Sequence, residues 1–443
     1  MKTFSQNKQV LYDFAGLPQT LLLNPGAETN FKYHVGIPLL SGVSFDFGSS
    51  QFVLSDLFAV DNIDINDKVA SVLNSIDERD YLKINTQIEV LNFGFRLNNK
   101  TYLSAGFYEE LDAIGYYPKD VLTFLTQGNG DNVFRNINLS EIRYKAELLG
   151  VFHLGITKKV NDKLTFGSRF KIYSSAFNLE SKNNTGTFST IQGTNNIYTQ
   201  YLNNVDLNFK TAGIIRDDEY ISDSSIFLNN TLLGGNLGLG LDFGVTYHIT
   251  PQLQFSGSIL DLGYVSYKND IKNTKVEGDF AFEGLDFPLN NLSSIETWNE
   301  LTDRFEEEVP VTDDNESYVS WRPTKLNFAL KYSFGEKRSE VCYDNSYNDF
   351  FTDAVGVQLY SVFRPLSPQL ALTGFYQKSL TKKIHTKITY TIDDFSYSNL
   401  GAGLSAQLGA VNLYGMIDNI LEFKDLSSAN SISFQMGINL IFN

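Results

Sequence analysis

Few side chains in this sequence could exchange a proton near neutral pH, and their spacing gives them little company. His34, His153, His248 and His385 lie far apart in the chain, and histidine is the side chain whose unperturbed proton affinity falls in the physiological range. His153 and His248 occupy polar positions of alternating stretches, so a curved wall could carry both towards an acid such as Asp242, the histidine and aspartate that a Ser/His/Asp hydrolase pairs with its serine. Solvated histidines on that polar face explain the same pattern without catalysis, and nothing else in the spacing argues for a hydrolase. Carboxylates invite a second chemistry. Residues 296–316 hold Glu296, Glu300, Asp303, Glu306, Glu307, Glu308, Asp313, Asp314 and Glu316 against one base, Arg304. Clustered carboxylates suit a divalent cation or a basic partner. The spacing matches no calcium loop, so a solvated external loop is the plainer reading, and the same holds for Asp61, Asp64 and Asp67.

Other motifs are weaker still. Gly238, Gly240 and Gly244 look superficially like a nucleotide-binding loop, but they alternate with Leu239, Leu241 and Phe243 and no helix follows. Phosphate-loop, HExxH, CxxC and GxSxG patterns do not occur. The single cysteine, Cys342, excludes an internal disulfide framework and a multi-cysteine zinc site. No catalytic, cofactor-binding or metal residue is therefore assigned, and the chain reads as a non-enzyme without a cofactor. With 35 Lys+Arg against 51 Asp+Glu, its net charge of −16 opposes nucleic acid, whose binding depends on neutralising phosphates.

The elements that carry these residues are strands. The hydrophobic content of 42% and mean hydropathy of −0.17 exclude a bundle of transmembrane helices. Over residues 236–249, Leu237, Leu239, Leu241, Phe243, Val245, Tyr247 and Ile249 alternate with glycine or polar residues, the period of a strand with one apolar face. The pattern recurs over 164–172, 326–334 and 400–408, in runs longer than the strands of a soluble sandwich and long enough to cross a bilayer. Short turns at Asn98-Asn99, Asn161-Asp162 and Thr250-Pro251-Gln252 join them at one end, and long polar connections such as 181–196 and 269–316 join them at the other. That asymmetry belongs to outer-membrane barrels. Sixteen candidate strands, including ones beginning near 197 and 275, reduce to about 14 (12 to 16) when the weak ones are discounted. The expected fold is all-β, a closed antiparallel transmembrane β-barrel over 31–443 with short loop helices. The uncharged stretch Ser396–Ile417 reads as two strands about a turn at Gly409-Ala410.

Three helices are expected in the loops. One spans 66–76 with Asn66 or Asp67 as cap, and one spans 118–127 with Val121, Leu122 and Leu125 on one side. The third opens with the capping box at Ser293 and presents Ile295, Trp298, Leu301 and Phe305, a candidate partner-contact face. Residues 1–30 form a separate N-terminal segment, a plug or a periplasmic strap, with Leu21, Leu22, Leu23, Asn24 and Pro25 as candidate plug residues. Phe434, Met436, Ile438, Leu440 and Phe442, with Ile432, make an alternating C-terminal row. This row resembles the terminal strand that insertion machinery recognises in outer-membrane proteins. Met1-Lys2-Thr3 gives a basic start without an apolar core behind it, as for a cytoplasmic chain or for an exported one whose signal peptide is absent or truncated.

The Leu-Leu-Leu-Asn-Pro stretch at 21–25, the segments Asp242–Tyr247 and Leu260–Tyr264, and the 118–129 helix ending Gln-Gly-Asn resemble Bacteroidota outer-membrane barrels of the FadL-related group, including PorP/SprF-like and PorV-like accessory barrels of type IX secretion. The resemblance implies an outer-membrane location, contact with lipid and with protein partners, and a non-enzymatic accessory role in a secretion or assembly machine. The alternative it implies is a FadL-like passive channel for hydrophobic or small solutes. No lipid-binding residue matches, so none is carried over.

Overall fold

The computed structural model describes residues 8–14, 16–128, 133–193, 198–216, 219–282, 311–336, 351–393, 395, 397 and 399–442. Its alternating sequences do pair as strands. They are β1, in two pieces (Tyr33–Gly36 and Val43–Ser49), β2 (Tyr81–Asn98), β3 (Thr101–Tyr116), β4 (Tyr144–Lys159), β5 (Leu164–Ser181), β6 (Asn236–His248) and β7 (Leu253–Tyr267). Then follow β8, also in two pieces (Tyr318–Trp321 and Lys325–Glu336), β9 (Phe351–Phe363), β10 (Pro368–Ser379), β11 (Ile384–Ile392), β12 (Asn399–Leu408), β13 (Val411–Asp418) and β14 (Ser431–Phe442). Each pairs antiparallel with its neighbours in chain order, and β1 closes the ring: Tyr33 sits opposite Phe95 of β2 on one side and Phe442 of β14 on the other. The result is a closed barrel of 14 strands. Closure leaves no strand edge, the condition for carrying backbone polar groups through lipid.

Alternation sorts the side chains. On β6, Leu237, Leu239 and Leu241 are exposed on the outer wall, whereas Asp242, Thr246 and His248 are buried in the lumen. The C-terminal row also points outward, with Met436 and Phe442 exposed and Ser433, Gln435 and Asn439 buried behind it. Among the described residues no helix is long and apolar enough to cross a membrane. An outer face this apolar on a closed wall makes the protein a transmembrane β-barrel.

Gly409, at φ +64, turns β12 into β13 as two strands, in the left-handed region that glycine enters without cost. The candidates near 197 and 275 are not barrel strands. They belong to Tyr198–Ala212 and Ile271–Phe282, which with Thr185–Gln192, Val311–Asp314 and Asn136–Asn138 extend the sheet beyond the wall from the end of β5. The connections 181–196 and 269–316 therefore hold strands where polar loops were expected. Thr185–Gln192 divides its two large apolar residues, Phe188 and Ile191, between opposite faces and so lacks the apolar alternation by which the wall strands are read.

The first loop helix spans Ile65–Ser75, and its cap is Asp64, which accepts from the Asn66 N–H at 2.8 Å, rather than Asn66 or Asp67. Val72, Leu73 and Ile76 pack with Phe52, Leu57 and Leu122. Lys68 pairs with Asp61 at 2.6 Å and, as its hydrogen-bond donor, holds that carboxyl below its usual range. The second helix spans Lys119–Gln127 with Pro118 as the capping residue, and Leu125, expected on its packed side, is 70% exposed. The third helix, with Ile295, Trp298, Leu301 and Phe305, lies outside the described residues, as does Cys342. Of the acidic stretch only 311–316 is described, where Asp313 and Asp314 sit on an exposed strand.

Candidate functional site

The described residues from Lys8 to Phe31 lie inside the half of the barrel that carries the short turns, and Lys32 already joins the ladder, donating its N–H to the Phe442 carbonyl at 2.7 Å. The segment's path follows from small residues facing each other across the wall. Gly167 of β5 and Gly244 of β6 are cross-strand partners, and both face inward. A Cβ on Gly167 would lie 1.9 Å from the Pro25 carbonyl oxygen, and one on Gly244 would lie 2.1 Å from Asn24 Oδ1. In turn, a Cβ on Gly26 would lie 2.4 Å from the Gly244 carbonyl oxygen. Only glycine lets the two backbones approach this closely. Asn24 accepts from the Gly26 N–H at 2.9 Å and folds the Asn-Pro-Gly stretch into a compact turn that seats on the glycine pair.

The wall holds this segment chiefly by its main chain. Thr157 donates to the Pro25 carbonyl at 2.7 Å and Ser258 to the Leu23 carbonyl at 2.6 Å. Arg169 donates to the carbonyls of Leu21 and Leu22, Gln377 to that of Asp13 at 2.9 Å, and Lys387 to that of Tyr12 at 2.7 Å. Side chains add a few locks. Asp13 pairs with Lys331 at 2.7 Å, and Gln19 donates to Asn439 at 2.9 Å, to Glu89 at 3.1 Å and to the Ser41 carbonyl at 3.0 Å. Ser41 reaches the lumen because β1 is interrupted at 37–42, where Pro38 lacks an N–H for the ladder and Leu39 and Leu40 turn outward.

Above the segment, towards the long loops, the lumen is filled by the wall's own charges. Arg322 reaches Glu110 at 2.7 Å and pairs with Glu147. Lys325 lies 3.3 Å from Glu110 and 3.0 Å from Asp261, and Lys171 lies 2.6 Å from Asp261 and 2.9 Å from Asp242. Arg364 forks onto Asp112 at 2.5 and 2.9 Å. Charges withdrawn from water persist only when paired in this way. Arg169 joins the two layers, since the guanidinium that holds Leu21 and Leu22 also meets Asp242 at 3.1 Å. A cavity of about 30 Å³ remains between the layers, lined by Lys8, Leu22, Leu23, Lys171, Asp261 and Lys325 among others. It has room for about two waters.

The histidines do not meet. His248 faces Glu28 at 3.0 Å, near the short turns, while His153 packs against Tyr108 with ring centroids 5.8 Å apart. Asp242 is taken up by Arg169 and Lys171. His34 bonds Asn92 at 3.0 Å and Tyr102 at 2.5 Å, and His385 bonds Ser379 at 2.9 Å. Gly238, Gly240 and Gly244 sit on the lumen face of β6, where Gly240 gives room to the Tyr173 ring. Leu21 to Pro25 lie at the centre of the internal segment. Sequence reasoning missed the residues that grip the segment: Thr157, Arg169 and Ser258 on Leu21 to Pro25, and Gln377 and Lys387 on Asp13 and Tyr12. The available signal was the coincidence of inward glycines on two strands that later prove to be neighbours.

These features define a class, a transmembrane β-barrel whose N-terminal segment is folded back into its lumen. The chain belongs to the family of unknown function DUF5723, whose model matches residues 25–418. No functionally curated protein matches it. Among solved structures it is similar to the toluene transporter TbuX of Ralstonia pickettii, at 10% identity and a TM-score of 0.43, covering 98% of this chain and 95% of that one. It is also similar to a FadL homologue of Pseudomonas aeruginosa, at 8% identity and a TM-score of 0.45, covering 100% and 99%. A third is the toluene transporter TodX of Pseudomonas putida, at 10% identity and a TM-score of 0.41, covering 100% and 98%.

Proposed function

We propose that this protein is a non-enzymatic outer-membrane channel for small solutes, stopped by its own N-terminal segment. The observation that supports this most is the way the lumen is closed. The described residues of 8–31 occupy it as a stretch that runs on into β1 but makes no strand pairing of its own, held to the wall by non-covalent contacts to its main-chain carbonyls from Thr157, Arg169, Ser258, Gln377 and Lys387. Such a piece can leave without unzipping a strand pair. Its seat is also imperfect, for the amide of Gln9 is buried without a hydrogen-bond partner among the described residues. The layer above is lined by ion pairs, which favours small polar solutes over hydrocarbons, since an apolar molecule would have to displace paired charges and leave them unsolvated. The outward row from Phe434 to Phe442 supports insertion through the C-terminal strand.

The test is single-channel conductance in planar bilayers for the full chain and for Gly244→Leu, with heat-modifiable migration as the check on folding. Low, rarely open conductance in the full chain and frequent opening in the variant support the channel. A folded variant that stays as closed as the parent contradicts it. A second reading, an accessory subunit of a secretion or assembly machine, draws on the exposed Leu54, Phe58, Val60 and Ile63 around the first loop helices. Stoichiometric co-purification of one protein in mild detergent, lost in Phe58→Asp, would favour it.

A further inference from the structure

One stretch of chain lies outside the wall. Between the outer sheet and β6, residues Ser224–Asn229 form a short helix that runs on into an irregular turn at Asn230–Gly234. The turn is laid against the outer faces of β3, β4 and β5. The Thr231 carbonyl oxygen sits where a Cβ on Gly150 would come within 2.0 Å, so the contact needs glycine. Ser174 donates to the Asn230 carbonyl at 2.5 Å, and its hydroxyl accepts from the Leu233 N–H at 3.1 Å. Leu233 holds φ +71, a backbone conformation leucine rarely adopts, and the wall contact keeps it there. The side chains left facing away from the protein are Leu228, Leu232 and Leu233, each at least half exposed.

Three observations say what covers them. β6 has 13 residues and begins two residues after the turn, so a strand of membrane-crossing length places the turn at the bilayer rim. From Ser224 to Leu241 the chain carries no charge, and the exposed leucines run directly into the outward row Leu237, Leu239 and Leu241. Glu109, between the lumen-facing Tyr108 and Glu110, is an outward carboxylate on β3, and Thr231 donates to it at 3.0 Å. An outward charge beside lipid is tolerated where such a cover satisfies it.

We propose that residues 224–234 form an in-plane anchor at the membrane surface, with Leu228, Leu232 and Leu233 inserted among the acyl chains of the leaflet on the long-loop side. Interfacial segments bind by such shallow apolar burial. The anchor fixes the rim of β4–β6 against lipid and is independent of whether the lumen conducts.

The test is spin-label accessibility in phosphatidylcholine vesicles. A nitroxide is placed at Leu232→Cys in a Cys342→Ser background, with Leu239→Cys on the lipid face and Asp223→Cys, just before the helix, as references. The expected result is oxygen accessibility at 232 close to that at 239, with nickel-chelate accessibility at least about fivefold below that at 223. Nickel access equal to that at 223 would overturn the proposal by placing the leucines in water. Exclusion of both reagents would overturn it by placing them under protein, whether a second copy or another chain. If the labelled variant fails the heat-modifiability check, Leu232→Trp with brominated lipids reads the same depth. Strong quenching supports the anchor, and none contradicts it.

Discussion

The two layers of the lumen solve the same problem in opposite ways. Near the short turns the wall contributes glycines, hydroxyls and single cations, and the space is filled by a piece of chain that the wall does not contain. Towards the long loops the wall fills itself, strand to strand, with interlocked ions such as Glu110, Arg322 and Glu147. In the first arrangement the filling and the wall are different stretches of the chain, and in the second they are the same. Losing one member of the upper layer strands its partner, whereas losing one contact of the lower layer loosens a segment that keeps many others.

That contrast orders the expected effects of mutation. Arg322→Met should be the most damaging, at about 3–5 kcal/mol, because Glu110 and Glu147 would stay buried with one fewer counter-charge. Urea unfolding in detergent measures it, and adding Glu147→Gln should recover part of the loss. A neutral Arg322→Met would mean that the upper layer is hydrated and loosely coupled. Gly167→Val comes next, at about 1–3 kcal/mol for overpacking against Pro25. Its loss should be confined to the lower layer, so trypsin should reach Lys8 while the barrel band persists unboiled. Parallel loss of both would erase the distinction between layers. Thr157→Val and Ser258→Ala should each cost about 0.5–1.5 kcal/mol, the worth of one hydrogen bond. Their effects should add, since they hold different carbonyls.

How much of this could be read in advance differs between the layers for physical reasons. The wall was legible because each outward leucine from Leu237 to Leu241 reports its own face with period two, and the short turns mark the hairpins without help from distant residues. The surplus strands near 197 and 275 were legible as strands but not as outer ones, since pairing beyond the membrane leaves no apolar signature. The upper layer was illegible because its partners are far apart in sequence, as Glu147 and Arg322 are, and alternation says only that each is polar and inward. The lower layer was half legible. Leu21 to Pro25 stood out as an uncharged stretch closed by Asn-Pro-Gly, but the wall recognises their carbonyls, which every residue has and no sequence distinguishes. The two histidines were drawn together by shared polarity alone, and the structure gives them separate neighbours.

The claim that the lower layer is a removable stopper is tested most directly by tethering it. Asp13 and Lys331, an ion pair at 2.7 Å, are replaced by cysteines in a Cys342→Ser background and joined by a short cleavable bismaleimide. Uptake of small polar solutes by proteoliposomes is then followed by swelling. The account predicts slow uptake for the untethered protein, none after cross-linking, and recovery once the linker is cleaved. Uptake unchanged by the tether would show that solute passes, if at all, without the segment moving, and would contradict the account.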